Sequence, residues 1–399
     1  MSYRIDTASN CSDLMDRLDA FLTVGHSLKP VYVGTGTGRM TLQIGTASSV
    51  QETITVTFSS ATAFSVVGSV TGSLGSGTVG TAFTSSVIHF TIVAGGAAFV
   101  SADTITVVMT PPWTQNRGVS GDQYIWTAPG NDGASAIIVG IKRFFDVGAD
   151  YDNLKLGGFT GYESASTFDD QPGQMTNTAP TFSPVLPLWN SSIPYWFIAD
   201  GRRVIVIAKI TTQFESMYLG YLDQYASESQ FPYPLVVGGS MAWTSAEPAT
   251  GSANWRFSYS GREHSAFPLP SWANGFFVTY YAGQLRLRRP DGVWVGFLID
   301  NYFTTNTGGG VWPYSNANGT QYMTDLRDNL DGSYPTFPIV LTEDLNGVQN
   351  VYGELNGVRA TTGHNNAAEN TILDGRDLWL VVQNITRTTK HDYFCVRLD

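Results

Sequence analysis

The stretch Asn190–Tyr225, NSSIPYWFIADGRRVIVIAKITTQFESMYLGYLDQY, decides the fold. Within it, Asp200-Gly201 is a hairpin signal, because tight hairpin turns need positive φ and Asp-Gly tolerates that at low cost. The chain is expected to double back there. Going in, Tyr195 to Ala199 is apolar at every position; coming out, Val204, Val206 and Ala208 fall on one face and Ile205, Ile207 and Lys209 on the other. A strand apolar on both faces is covered on both faces, so the stretch reads as the middle of a sheet and not as an open binding cleft.

The same texture extends outward. Tyr124–Thr127 and Ile137–Phe145 flank the turn-rich connector APGNDG. Gln284–Arg289 alternates Leu285 and Leu287 with Gln284, Arg286 and Arg288, and Pro290-Asp291-Gly292 then turns the chain into VWVGFLI. Leu355-Asn356-Gly357-Val358 and Asp374-Gly375 mark two further hairpins, and Leu378–Val382 and Tyr393–Leu398 read as closing strands. Strands at this density without helix alternation predict an antiparallel, all-β, sandwich-like main body, and they exclude a parallel nucleotide-binding sheet.

One short helix interrupts the pattern near the start. Ser12, followed by Asp13 and Asp16, reads as a helix start, because a hydroxyl caps a free N–H and acids favour the positive end of the dipole. Leu14, Leu18, Phe21 and Leu22 recur at helical spacing until Gly25, an apolar stripe expected to pack on a sheet.

Between Thr41 and Pro112 only Glu52 and Asp103 carry charge. Ile54/Val56/Phe58, Ile88/Phe90/Ile92 and Ile105/Val107 nevertheless alternate at period two between glycine turns. Residues 51–112 therefore read as an inserted, small β-sandwich-like domain. The main body takes residues 1–50, with the helix and first strands, and residues 113–399. The near-absence of charge in the insert predicts cover by neighbouring subunits.

The chain has 399 residues, 42 of them glycine, with 14% charged residues, a formal net charge of −11 and a pI near 4.8. Nucleic-acid binding depends on clustered Lys and Arg, so no direct nucleic-acid contact is expected. Two cysteines, Cys11 and Cys395, provide no disulfide framework and no zinc spacing, and leave open a single bridge between them. The first residues lack an apolar signal core, and no run of about 18 apolar residues occurs, so a soluble, cytoplasmically made protein with no membrane contact is expected. The sequons at Asn10, Asn190, Asn318 and Asn384 then read as chance.

Four groups of residues bear on possible chemistry. The glycines of VGTGTGRM, Val33–Met40, lack dinucleotide spacing and the Lys-Ser/Thr of a P-loop, and read as a hairpin or strand edge. His26, His89, His264, His364 and His391 show no metal-ligand spacing. The acidic groups Asp169-Asp170, Asp150 with Asp152, and Asp325/Asp328/Asp331 are the candidates for a sugar-cleaving carboxylate pair, yet their context is that of β-turn punctuation, and the last group departs from a calcium loop. No G-x-S-x-G elbow occurs. The aromatics Trp189, Tyr195, Trp196, Tyr218, Tyr221, Tyr225, Tyr233, Trp243, Trp255, Trp272, Tyr280, Tyr281 and Trp294 suit core and interface. No catalytic, cofactor-binding or metal residue is assigned, and the reading is of a protein that is not an enzyme and needs no cofactor.

The run QYIWTAPGNDGASAIIVGIKRFFDVGADYDNLKLGGFTGY (Gln123–Tyr162), LPLWNSSIPYWFIADGRRVIVIAKITTQFESMYLGYLDQY, FPYPLVVGGS and the ending ENTILDGRDLWLVVQNITRTTKHDYFCVRLD resemble a recurring group of structural proteins in tailed-bacteriophage virions. FTIVAGGAAFVSADTITV in the insert is similar to an Ig-like or otherwise β-rich segment that recurs in phage tail-associated proteins, which implies an Ig-like or β-sandwich insert. The resemblance implies a non-enzymatic neck, collar, tail or baseplate component, assembled in the host cytoplasm into the virion. It further implies a ring-like homo-oligomer of cyclic symmetry, contacting other neck or tail proteins. The alternative it leaves is a baseplate or receptor/glycan-binding tail protein that touches the host surface.

Overall fold

The computed structural model describes residues 2–43, 51–146, 151–175, 183–242, 284–297, 309–313, 327–345, 347–384, 388, 390 and 392–399. Among the described residues strands dominate, every strand pair is antiparallel, and the one helix is Cys11–Leu22. The all-β reading is what the chain adopts.

Its centre is a sheet ordered Ser2–Ala8, Ile193–Ala199, Arg203–Ile210, Gln213–Tyr221, Leu235–Gly239, Gln284–Arg288, Trp294–Phe297. Both of its faces are covered. On one side, Tyr195, Phe197, Val204, Val206 and Ala208 join Leu14, Leu18 and Phe21 of the helix and Trp126, Val139 and Leu154 of a second sheet in a single core. On the other, Trp196, Ile198, Ile205 and Ile207 meet Leu341, Val358, Val382 and Phe394 of a third sheet. The second sheet runs Thr114–Val119, Gln123–Ala128, Ile137–Asp146, Tyr151–Phe159, Pro184–Leu188, Met241–Ala242. The third runs Gly309–Trp312, Thr336–Leu345, Val348–Thr361, Tyr393–Arg397, Asp377–Gln383, Thr371–Asp374. The body is thus three stacked sheets, and period-two strands with two apolar faces are what a middle layer requires.

The hairpin at Asp200-Gly201 forms, but one residue out of the expected phase. Ala199 pairs with Val204, and the Asp200 N–H donates to the Arg203 carbonyl at 3.2 Å, so Gly201 and Arg202 occupy the turn. Neither Asp200 nor Gly201 has a left-handed φ. Asp200 instead uses its side chain, with Oδ1 accepting from the N–H of Arg202 at 2.8 Å and of Arg203 at 3.2 Å. Gly201 is required by close approach, since a Cβ there would lie 2.0 Å from the carbonyl oxygen of Gly130.

The tetrapeptide LNGV occurs twice and is used in two ways. Sequence reading places a hairpin at Leu355-Asn356-Gly357-Val358, but one strand, Val348–Thr361, runs through it. Pro338 pairs with Arg359 and Val340 with Glu354, so these four residues bulge opposite Ile339, with Gly357 at φ 79. The hairpin belongs to the other copy, where Leu345 pairs with Val348. The turns at Pro290-Asp291-Gly292 and Asp374-Gly375 form as read, joining Arg288 to Trp294 and Asp374 to Asp377.

The helix is capped by Asn10 and not by Ser12. Asn10 Oδ1 accepts from the Asp13 N–H at 3.0 Å, while Asp13 Oδ2 accepts from the Ser9 N–H at 2.7 Å. Leu14, Leu18, Phe21 and Leu22 are all buried in the core beneath the central sheet.

The charge-poor segment forms two facing sheets around its own core of residues such as Met40, Val56, Phe58, Phe64, Phe90 and Ile105. Strands Val31–Val33 and Arg39–Gln43, grouped with the main body on sequence grounds, pair here with Thr104–Thr110 and His89–Val93. Their partners lie far along the chain, which no local pattern reveals. Both charges of the segment turn inward. Glu52 Oε1 accepts from the Thr71 N–H and hydroxyl at 2.7 and 2.6 Å and from the Val70 N–H at 3.1 Å.

Candidate functional site

The glycine loop at Val33–Met40 is an anion cradle already filled from within. Asp103 accepts from the N–H of Gly36 at 2.9 Å, of Val100 at 3.1 Å and of Thr35 at 3.2 Å. Those donors, the Gly36 N–H foremost, hold its carboxyl below the usual range. A Cβ at Gly34 would lie 2.0 Å from Asp103 Oδ1, so the glycine spacing serves this carboxylate and not a phosphate.

The described carboxylates among the sugar-chemistry candidates are engaged with neighbours on their own chain. Asp152, fully buried, takes two bonds from Arg143 at 2.8 and 2.6 Å. Asp169 pairs with Lys155 at 2.5 Å and Lys142 at 3.5 Å, while Asp170 accepts from the Thr167 hydroxyl at 2.6 Å. Asp328 lies 2.8 Å from His364 Nδ1, and Asp331 accepts from the Ser333 hydroxyl at 2.7 Å. Asp150 and Asp325 lie outside the described residues. A general acid and its partner base need free faces turned towards one substrate. Each described member of these groups is instead tied into its own local contact. Among the described residues no three His, Cys, Asp or Glu side chains converge as a metal site.

Asp200 and Arg203 form a buried pair that the sequence analysis did not single out, with 2.8 Å between Oδ2 and Nη2 and side-chain exposures of 3% and 1%. The only signal for it was adjacency to the hairpin. Cys11 and Cys395 are both free and buried, the first in the helix-side core and the second in a small cluster with Trp379 and Tyr393. The bridge left open on sequence grounds is therefore not formed, and burial pushes both thiols up.

His26 is fully buried against the Phe21 ring, with centroids 5.1 Å apart, and burial lowers its pKa to about 4. His89 is partly exposed on a sandwich strand, and His264 and His391 lie outside the described residues. A depressed folded pKa means the unfolded chain binds the proton first. Stability from this site is therefore intact above about pH 6.5 and is lost as pH falls through about 4. Acidification from pH 7 to pH 4 is expected to cost about 3 kcal/mol through this residue. The His26→Phe variant should show a flatter stability–pH curve in chemical denaturation; parallel curves for the two proteins would refute the assignment.

The aromatic residues divide into core and rim. Tyr195, Trp196 and Tyr218 are buried in the two main cores, and Trp294 donates its Nε1–H to the Gly173 carbonyl at 2.8 Å. Trp189 donates to the Ser192 carbonyl at 3.0 Å. Tyr225 and Tyr233 remain 59% and 37% exposed, and the Arg288 guanidinium lies 5.4 Å from the Tyr233 ring centre, as Arg202 lies 5.8 Å from that of Tyr221. Trp243, Trp255, Trp272, Tyr280 and Tyr281 lie outside the described residues.

The remaining candidate is a surface. Val31, Val33 and Val67 stand out from the sandwich at 60%, 65% and 47% exposure, in a segment whose carboxylates Glu52 and Asp103 are buried. Large aliphatic side chains on an uncharged strand face are suited to contact with another macromolecule and to no proton transfer. Among the described residues no helix is long and apolar enough to cross a membrane. No protein-family model matches the chain, and no curated protein matches it.

Proposed function

We propose that the chain is a non-enzymatic structural component of a tailed-phage virion, a neck/collar or tail-associated protein that assembles in symmetric copies. The observation that carries this reading is the uncharged, valine-bearing surface of the sandwich, on a chain whose described acidic candidates are engaged in local contacts. Repeated contacts between copies make use of such a surface, because symmetric assembly presents the same patch on every copy. The resemblance of residues 123–162 and of the C-terminal stretch to virion structural proteins supports the same reading.

Mass spectrometry of purified particles of the encoding phage tests it. The expected result is this chain at a stoichiometry of several copies per particle. Its absence from particles, or release of reducing sugar from host glycans by the purified protein, would overturn the proposal.

Tyr225 and Tyr233, both exposed and the second beside the Arg288 guanidinium, favour a second reading as a receptor- or glycan-binding tail protein. Rings of this kind stack on sugar faces as readily as on protein. Binding of the purified chain to host cells, abolished in the Tyr225→Ala/Tyr233→Ala double variant, would select it; no binding would dismiss it.

A further inference from the structure

The outer face of the larger sandwich sheet is ordered as a lattice. Its strands lie side by side in the order Val31–Val33, Thr104–Thr110, Glu52–Phe58, Ala63–Gly68, Gly72–Thr78. Cross-strand pairing sets one row of Val33, Thr104, Thr57 and Ser65, and a second of Val31, Thr106, Thr55 and Val67. Directly paired residues share a face, so both rows point away from the core, whose members Ile54, Val56 and Ile105 lie at the alternate positions. Every residue in the two rows is partly or fully exposed, and none is charged.

From this we infer that a second copy of the same chain docks on this face, sheet against sheet, about a two-fold axis; the inference deepens the assembly role proposed above and rests on it. Charge decides the occupant. With a net charge of −11, two copies repel one another over most of their surface. The two carboxylates in residues 40–112 are withdrawn, Glu52 at 1% and Asp103 at 4% exposure, so the sandwich is where like copies meet at least electrostatic cost. The lattice is also self-complementary in chemistry, since threonine and valine rows pack on their own kind at the ordinary spacing of about 10 Å between sheets.

Size decides the strength. Five strands about 4.8 Å apart and a few residue pairs along each give a patch of roughly 20 by 20 Å, on the order of 400 Å² per copy. A stable pairwise interface buries about 800 Å² per partner. The contact is therefore weak alone and gains strength when repeated within an assembly, where each further contact is intramolecular.

Sedimentation velocity on the full chain, from micromolar to millimolar concentration, tests this. The wild-type sedimentation coefficient is expected to rise with concentration. Thr55→Glu/Thr106→Glu, at positions that pair directly, should hold the chain monomeric, while Thr371→Glu/Leu373→Glu, which adds the same charge to an exposed strand elsewhere, should associate like wild type. Val67→Glu, in the same row, serves if the threonine pair fails to fold. A wild-type chain that stays monomeric throughout, or a folded face variant that associates as wild type does, overturns the inference. If particles contain the chain but it does not associate through this face, the inference fails while the virion role stands. If the chain is absent from particles but association is lost in the face variant, the virion role fails while the contact stands.

Discussion

Ile205→Asp is expected to abolish soluble folding. Ile205 is fully buried and lies in the middle strand of the middle sheet, paired with Ile198 on one side and Tyr218 on the other. Its side chain points into the core shared with the third sheet, among Ile207, Leu341 and Phe394. A carboxylate there loses its water and gains no counter-charge from those apolar neighbours, a penalty of several kcal/mol even after relaxation. Total stabilities of about 5–15 kcal/mol leave little to absorb it. Ile205→Val, which removes one methylene, should cost only about 0.5–1.5 kcal/mol and keep a cooperative melt. Soluble expression and thermal melts of both variants decide the matter, and a folded Ile205→Asp protein would show that the strand is not sandwiched.

The second large effect is expected at Asp200. Asp200→Asn keeps a side-chain oxygen for the turn N–H groups of Arg202 and Arg203 but removes the negative charge facing the Arg203 guanidinium. The pair is almost wholly withdrawn from water, so removing the carboxylate's charge takes a close counter-charge from a desolvated cation. A loss of about 3–5 kcal/mol in urea-denaturation stability follows. An exposed pair such as Arg359 with Asp374 provides the comparison, and Asp374→Asn should change stability by less than about 1 kcal/mol. Equal losses for the two variants would mean that burial does not set the energetics of the hairpin pair.

Much of this was legible along the chain because it is local. The two-faced apolar strand at Val204–Ile210, the hairpins at Asp291-Gly292 and Asp374-Gly375, and the helix stripe of Leu14, Leu18, Phe21 and Leu22 each depend on a handful of neighbouring residues. What was not legible depends on partners distant in sequence. The third sheet shares a core with Ile205 and Ile207 only because residues near 340, 358 and 394 return to them. The two LNGV copies show the limit sharply. One ends a strand and the other bulges within one, and only the facing strand, Thr336–Leu345, separates the outcomes. Likewise the glycines at Val33–Met40 carry an anion cradle, but that its anion is Asp103 could not be read from a loop some way upstream of it. For the candidate surface, the low charge was plain in the sequence. The registration of Val31, Val33, Thr55 and Thr106 into one face was not, since it needs the pairing of strands on both sides of Thr104–Thr110.

We propose that the uncharged strand face is covered by another molecule in an assembly. A high-resolution reconstruction of the particle that the proposed virion role implies tests it most directly. The expected map shows this chain in symmetric copies, with Val31, Val33 and Val67 excluded from solvent by a neighbouring chain. A map in which that face is bare to water in every copy, while the carboxylates at Asp169 and Asp170 stand over a bound sugar, would contradict it.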